Sequence, residues 1–150
     1  MKKVITIYLI VAFIFNFIWE MSQVALYKPH FDGVLDLILV HIRATIGDVI
    51  IFLIIYALVS LVLRDTRWIL KNKTESLYLA LTLGFIFAVA IEKYALITGR
   101  WGYSELMPII PLAGVGLSPV LQLTILAPIT SLITRKLFEI NTIKKKGGGL

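Results

Sequence analysis

Cysteine is absent from this chain, which excludes disulfides, thiolate metal sites and cysteine nucleophiles. Charge is scarce as well. Asp, Glu, Lys and Arg make up 16% of the 150 residues, against about 25% in ordinary globular proteins. Histidine occurs only twice, at His30 and His41, and a lone His41 beside carboxylates is a weak signal for a metal ligand. What fills the space is apolar: 59% of the residues, with a mean hydropathy of +0.91. A soluble fold of this size cannot hide so much apolar surface, but a bilayer can. The net charge of +6 comes from short basic clusters flanking apolar runs. That is the positive-inside pattern of membrane proteins, and it argues for no nucleic acid partner.

Taken in order, the chain opens on Met1-Lys2-Lys3 and an apolar run that imitates a signal peptide. The run passes Trp19 without a small-x-small cleavage site and carries Glu20, so it reads as a retained first span over residues 4–27. Lys28 to Gly33 is a loop punctuated by Pro29 and Gly33, with His30 as a solvated member. Residues 34–63 are too many for one perpendicular span. The reading adopted is an interfacial stretch over 34–43 and a second span over 44–63, because Val49 to Leu63 is uniformly apolar. A long tilted helix is the alternative.

A basic loop from Arg64 to Lys73 follows, with Trp68-Ile69-Leu70 expected at the interface and Asn72 with Glu75 as a capping pair. The third span covers 76–98. Glycines and prolines make Gly99 to Gly116 an irregular loop. Ser118-Pro119 reads as N-cap and N1 of a fourth span over 118–138, kinked at Pro128, and 139–150 as a basic disordered tail.

Lys2, Lys3, Arg64, Arg67, Lys71, Lys73, Arg135, Lys136 and Lys144 to Lys146 fall on one side if four spans alternate; Lys28 and Arg100 fall on the other. The expected fold class is an all-α membrane protein, four transmembrane helices in a compact bundle. Both termini are then cytoplasmic and the irregular loop before the fourth span faces outward, in a prokaryotic cytoplasmic (inner) membrane.

That topology gathers the rare polar residues. Asn16, Glu20, Gln23 and Tyr27 stand at i, i+4, i+7 and i+11, one helical face. Glu20 near the outer end of the first span, Asp48 of the second and Glu92 of the third share a depth with Gln122 of the fourth. A carboxylate on a membrane helix costs about 2.5–3.5 kcal/mol on insertion scales and is read by default as functional. Three are expensive as mere glue, since an interhelical hydrogen bond averages about 0.6 kcal/mol. Acid–base chemistry uses a carboxylic acid beside an ionised neighbour, and so does a proton-coupled carrier.

Glu20, Asp48 and Glu92 are therefore the catalytic candidates. His41, with Thr45 and Asp48 on one face, is expected as a hydrogen-bonded histidine beside the site. Arg43 and Arg100 would hold an anionic headgroup near two helix starts, while Lys93 snorkels. Trp19, Trp101 and Tyr103 suit the headgroup level or an apolar slot.

The motifs Asn16-x-x-Trp19-Glu20, Gly47-Asp48, Gly99-Arg100-Trp101 through Pro108, and Gly114-Val115-Gly116-Leu117-Ser118-Pro119 resemble those of a group of small four-helix prokaryotic membrane proteins. That likeness brings a fold and no activity. Asn16-x-x-Trp19-Glu20 also resembles a short motif of the integral membrane terpene cyclases of meroterpenoid pathways, where the Glu starts cyclisation. The resemblance implies that role for Glu20 alone and points to isoprenoid-like substrates.

The leading expectation is a site facing the outer side that acts on an isoprenoid or other amphipathic membrane lipid, as a cyclase, isomerase or hydrolase. Carboxylates with a lipid phosphate would suit Mg²⁺. One alternative is a proton- or ion-coupled transporter working as a homo-oligomer; against it, few polar residues beyond Ser60, Thr82 and Ser131 stand in the cytoplasmic half. The other is a non-catalytic accessory subunit whose outward loops dock a membrane complex.

Overall fold

The structure, a computed structural model, describes residues 1–29, 31–71 and 73–147, the last four as backbone only. The expectations for His30, for the Asn72 cap and for the tail at 148–150 lie outside the described residues. The chain is mostly helical (78%). Four helices are long and apolar enough to cross a membrane: α1 (Lys2–Ser22), α2 (Gly33–Leu63), α4 (Thr74–Ile97) and α5 (Leu117–Gly147). Between them lie a one-turn α3 (Trp68–Lys71) and a two-residue ladder of β1 (Ile109–Ile110) with β2 (Val115–Gly116). In α2 only 22% of the most apolar window is buried. Ile10, Ile14 and Ile18 form an exposed stripe on α1. Exposed isoleucines at every fourth position need an apolar surround, which makes this a multi-pass membrane protein.

Helix α1 packs on α2 and α5, and α4 packs on α5 and α2. The α4–α5 seam depends on small residues. Ser76, Ala80, Gly84 and Ala88 recur at every fourth position, all buried, and the row ends at Glu92. A Cβ on Gly84 would stand 2.4 Å from the Leu123 carbonyl oxygen, so the two backbones touch as small-xxx-small helices do. Away from the site, the core is Val4 and Tyr8 of α1 against Phe52, Ile55 and Val59 of α2.

Several boundaries differ from the sequence reading. Helix α1 stops at Ser22, where the Ser22 hydroxyl donates to the Trp19 carbonyl (2.7 Å) and the chain tightens into a 3₁₀ turn, Val24–Leu26. Tyr27 is thus off the helix. Helix α2 runs unbroken through 34–43, since neither Pro nor Gly interrupts it before Gly47. Its 31 residues span roughly 46 Å at 1.5 Å each.

Trp68 and Ile69 are buried rather than interfacial. The Trp68 indole donates to the Tyr56 carbonyl (3.4 Å), and the Tyr56 hydroxyl donates to the Thr66 carbonyl (2.7 Å). Helix α5 continues through 139–147, where a disordered tail was expected. Arg135 pairs with Glu139 at i,i+4 (3.6 Å), and no Gly or Pro intervenes after Pro128 until Gly147.

Candidate functional site

A cavity of about 480 Å³ lies where α1 and α4 end and α2 and α5 begin. Glu20 from α1, Asp48 from α2, Glu92 from α4 and Gln122 from α5 all line it. His41, Arg43, Arg100 and Trp101 complete its polar and aromatic wall, and Tyr27 reaches it from beyond the end of α1. Asn16, Trp19, Gln23 and Tyr103 do not line the cavity; they hold those that do.

The holding is directional. An indole N–H can only donate, so Ser118 Oγ accepts from Trp19 Nε1 (3.2 Å) and gives its own proton to Gln23 Oε1 (2.8 Å). That fixes the Gln23 amide, whose Nε2 donates to Glu20 Oε1 (2.9 Å) and to Gln122 Oε1 (3.0 Å). Gln122 Nε2 then donates to Asp48 Oδ2 (2.9 Å) and Asn16 Oδ1 (3.1 Å). Asn16 spends its Nδ2 on the Ala12 carbonyl (2.8 Å), which leaves Oδ1 as the acceptor. Asn16, Gln23 and Gln122 are buried, and every such amide costs about 1–3 kcal/mol if left unpaired. Trp19 is therefore no simple interface anchor, and Ser118 is no N-cap: α5 already begins at Leu117 and the Ser118 hydroxyl is committed to Gln23.

Glu92 is held from the loop instead. The loop turns sharply after α4 because Gly99 takes a left-handed conformation (φ 65°). Arg100 N then bonds the Ala95 carbonyl (2.9 Å) and Gly99 N the Leu96 carbonyl (3.3 Å), a Schellman end. The turn sets Trp101 Nε1 against Glu92 Oε2 (3.3 Å), and the Tyr103 hydroxyl donates to the same oxygen. Gly116 N in turn donates to the Tyr103 hydroxyl (2.8 Å).

Lys28 N to the Gly102 carbonyl (2.9 Å) and Ser104 N to the Leu26 carbonyl (2.9 Å) stitch the loop to the end of α1, with Tyr27 and Tyr103 bridged. The segment expected to be irregular is thus tied at both ends. Burial, aided by the bond to Glu92, pushes the Tyr103 phenol above its ordinary range, and burial does the same at Tyr27.

His41 is buried; its Nδ1 faces the Leu37 carbonyl (2.7 Å) and so carries the proton, and its ring meets the edge of Phe31 (6.2 Å). Arg43 and Arg100 are exposed at the cavity edge. Lys93 is exposed and does not line the cavity; its ammonium stands beside Gly114. Among the described residues no group of three His, Asp or Glu side chains is gathered to hold a metal ion. The sequence reading did not single out the apolar part of the wall, Ala44, Ile51, Ala88, Ile91, Pro119 and Leu123. In the far half Thr82 is exposed, whereas Tyr8, Thr130 and Thr134 are buried, as are Ser60 and Ser131.

No family model, curated protein or solved structure matches this chain.

Proposed function

We propose that this protein binds an amphipathic membrane lipid, isoprenoid or other, with its polar end in the carboxylate cleft and carries out acid–base chemistry on it there. One observation carries the reading: carboxyls from three different helices and an amide from the fourth line a single cavity. Glu20 is the principal acid or base. Asp48 lies two amides away from it, through Gln23 and Gln122.

Those amides position the two carboxyls and do not relay protons between them. Gln23 donates towards Glu20 and Gln122 donates towards Asp48, so neither carboxylate can receive a proton from the chain without an amide losing its own. Each carboxyl exchanges protons with whatever occupies the cavity, as a general acid or base must. Glu92, gripped by Trp101 and Tyr103, ties the chemistry to the seating of the loop, which acts as the lid. Arg43 and Arg100 meet the anionic part of the lipid at the edge. The excess of Lys and Arg around the termini and the α2–α4 connection supports cytoplasmic termini and an outward cleft in a prokaryotic inner membrane.

Native mass spectrometry of gently extracted protein tests the reading. Wild type should retain a lipid-sized adduct, lost in Arg100→Ala. Glu20→Gln should keep the fold and the adduct but lose turnover of that lipid. Bare wild-type protein would end the reading.

A transporter is the second reading. It is favoured by the hydroxyls of Thr130 and Thr134, buried and without hydrogen-bond partners among the described residues. Solute uptake by proteoliposomes, abolished in Thr130→Val, would put it ahead.

A further inference from the structure

The cavity has a chemical polarity from floor to edge. Its carboxyls accept hydrogen bonds from the wall: Gln23 donates to Glu20, Gln122 to Asp48, and Trp101 and Tyr103 to Glu92. Glu92 is only 4% exposed, and Glu20 and Asp48 are half-buried. The cations, Arg43 and Arg100, stand at the exposed edge. A floor of acceptors asks for a ligand that brings donors and positive charge inward. An edge of guanidiniums asks for a phosphate or carboxylate just behind.

An aromatic wall of Trp101 and Tyr27 adds attraction for a cation. A diphosphate fits poorly here. It would lay several negative oxygens on three acceptors, with no group of metal ligands among the described residues to bridge them.

From this order we infer that the ligand is a phospholipid with a primary amine in its headgroup. Its ammonium sits on the carboxyl-lined floor, and its phosphate lies towards Arg43 and Arg100 at the edge. The inference rests on the lipid-binding reading above and narrows its substrate class from lipids in general to amino-phospholipids. A primary ammonium brings charge and N–H donors together, which is what a floor of acceptors takes. A quaternary ammonium offers charge without donors, and a glycerol headgroup offers donors without charge.

Binding of short-chain phosphatidylethanolamine, phosphatidylcholine and phosphatidylglycerol to detergent-solubilised full-length protein separates these cases. Free phosphoethanolamine serves as a fourth probe, and Trp101 fluorescence, with Trp101→Phe as the blank, as the readout. The expected result is phosphatidylethanolamine about tenfold tighter than either other lipid. That preference should collapse in Glu92→Gln, while Arg100→Ala weakens all three lipids alike. Should the Glu92→Gln protein misfold, Asp48→Asn tests the same floor.

Equal binding of phosphatidylglycerol or phosphatidylcholine would overturn the ammonium assignment and leave the lipid reading standing. No binding by any lipid would sink both. Free phosphoethanolamine binding as tightly as the lipid would uphold the headgroup chemistry and assign the site to a soluble ligand instead.

Discussion

Tyr103 shows how much can hang on one hydroxyl. It gives its proton to Glu92 Oε2, receives one from Gly116 N (2.8 Å), and its backbone is bridged to Tyr27. Burial and the Glu92 bond both push its phenol upward, so it stays protonated beyond the ordinary tyrosine range. The sign of the linkage follows. An unfolded phenol ionises near pH ~10, the folded one later. The stabilisation is therefore complete below about pH 10 and is lost as pH rises above it. Wild type should be more heat-stable than Tyr103→Phe at neutral pH, and that advantage should shrink on the alkaline side. Phenolate absorbance should show one late-titrating tyrosine fewer in the variant. An identical alkaline titration curve in the two proteins would refute this placement of Tyr103.

Among the elements, α4 and α5 set how far the helices may open, because Gly84 brings backbone onto backbone. A Cβ there would meet the Leu123 carbonyl oxygen at 2.4 Å and the Thr124 Cα at 3.1 Å, and neither can swing aside. Gly84→Ala should therefore cost about 1–3 kcal/mol through overpacking. Gly47, on the cavity wall of α2, has nothing within 4 Å of its would-be Cβ. Gly47→Ala should stabilise by about 0.5–1 kcal/mol through lost chain entropy. Opposite signs in thermal unfolding in one detergent are the expected outcome; a Gly84→Ala protein as stable as wild type would remove the close seam.

The elements also show what the sequence could and could not tell. The four long apolar runs and the i, i+4 and i+7 spacings of Asn16, Glu20 and Gln23 were legible because helical period and hydrophobicity are local properties. The Ser76-Ala80-Gly84-Ala88 row is equally local, a small residue at every fourth position. Where α1 ends was not legible, since Gln23 leaves the helix pattern for partners 95 and 99 residues away. For the same reason Ser118 looked like a cap: its local pattern was right, and a hydrogen bond to Gln23 from another helix outweighed it. The tie between Tyr27 and Tyr103 left no trace in either segment alone.

At the scale of the molecule, the two connections on the cleft side behave as one body. Lys28 N to the Gly102 carbonyl and Ser104 N to the Leu26 carbonyl join them, so whatever side of the membrane one faces, the other must face too. The connection holding Arg64, Arg67 and Lys71 lies at the opposite ends of the helices, with Asp65 paired to Lys71 (2.7 Å) and accepting from Arg67 N (2.9 Å). Arg43 and Arg100 line the cleft at the end away from that connection, and the proposed reading keeps them for a ligand rather than for orientation. The absence of cysteine makes sidedness testable one thiol at a time. Asp32→Cys and Glu105→Cys, both exposed, should react together with a membrane-impermeant maleimide on intact cells. Lys73→Cys, also exposed, should react only after the membrane is opened. If Asp32→Cys and Glu105→Cys labelled from different sides, the stitched loops would be wrong. If both labelled only after permeabilisation, the cleft would face the cytoplasm, and its lipid would have to come from the inner leaflet.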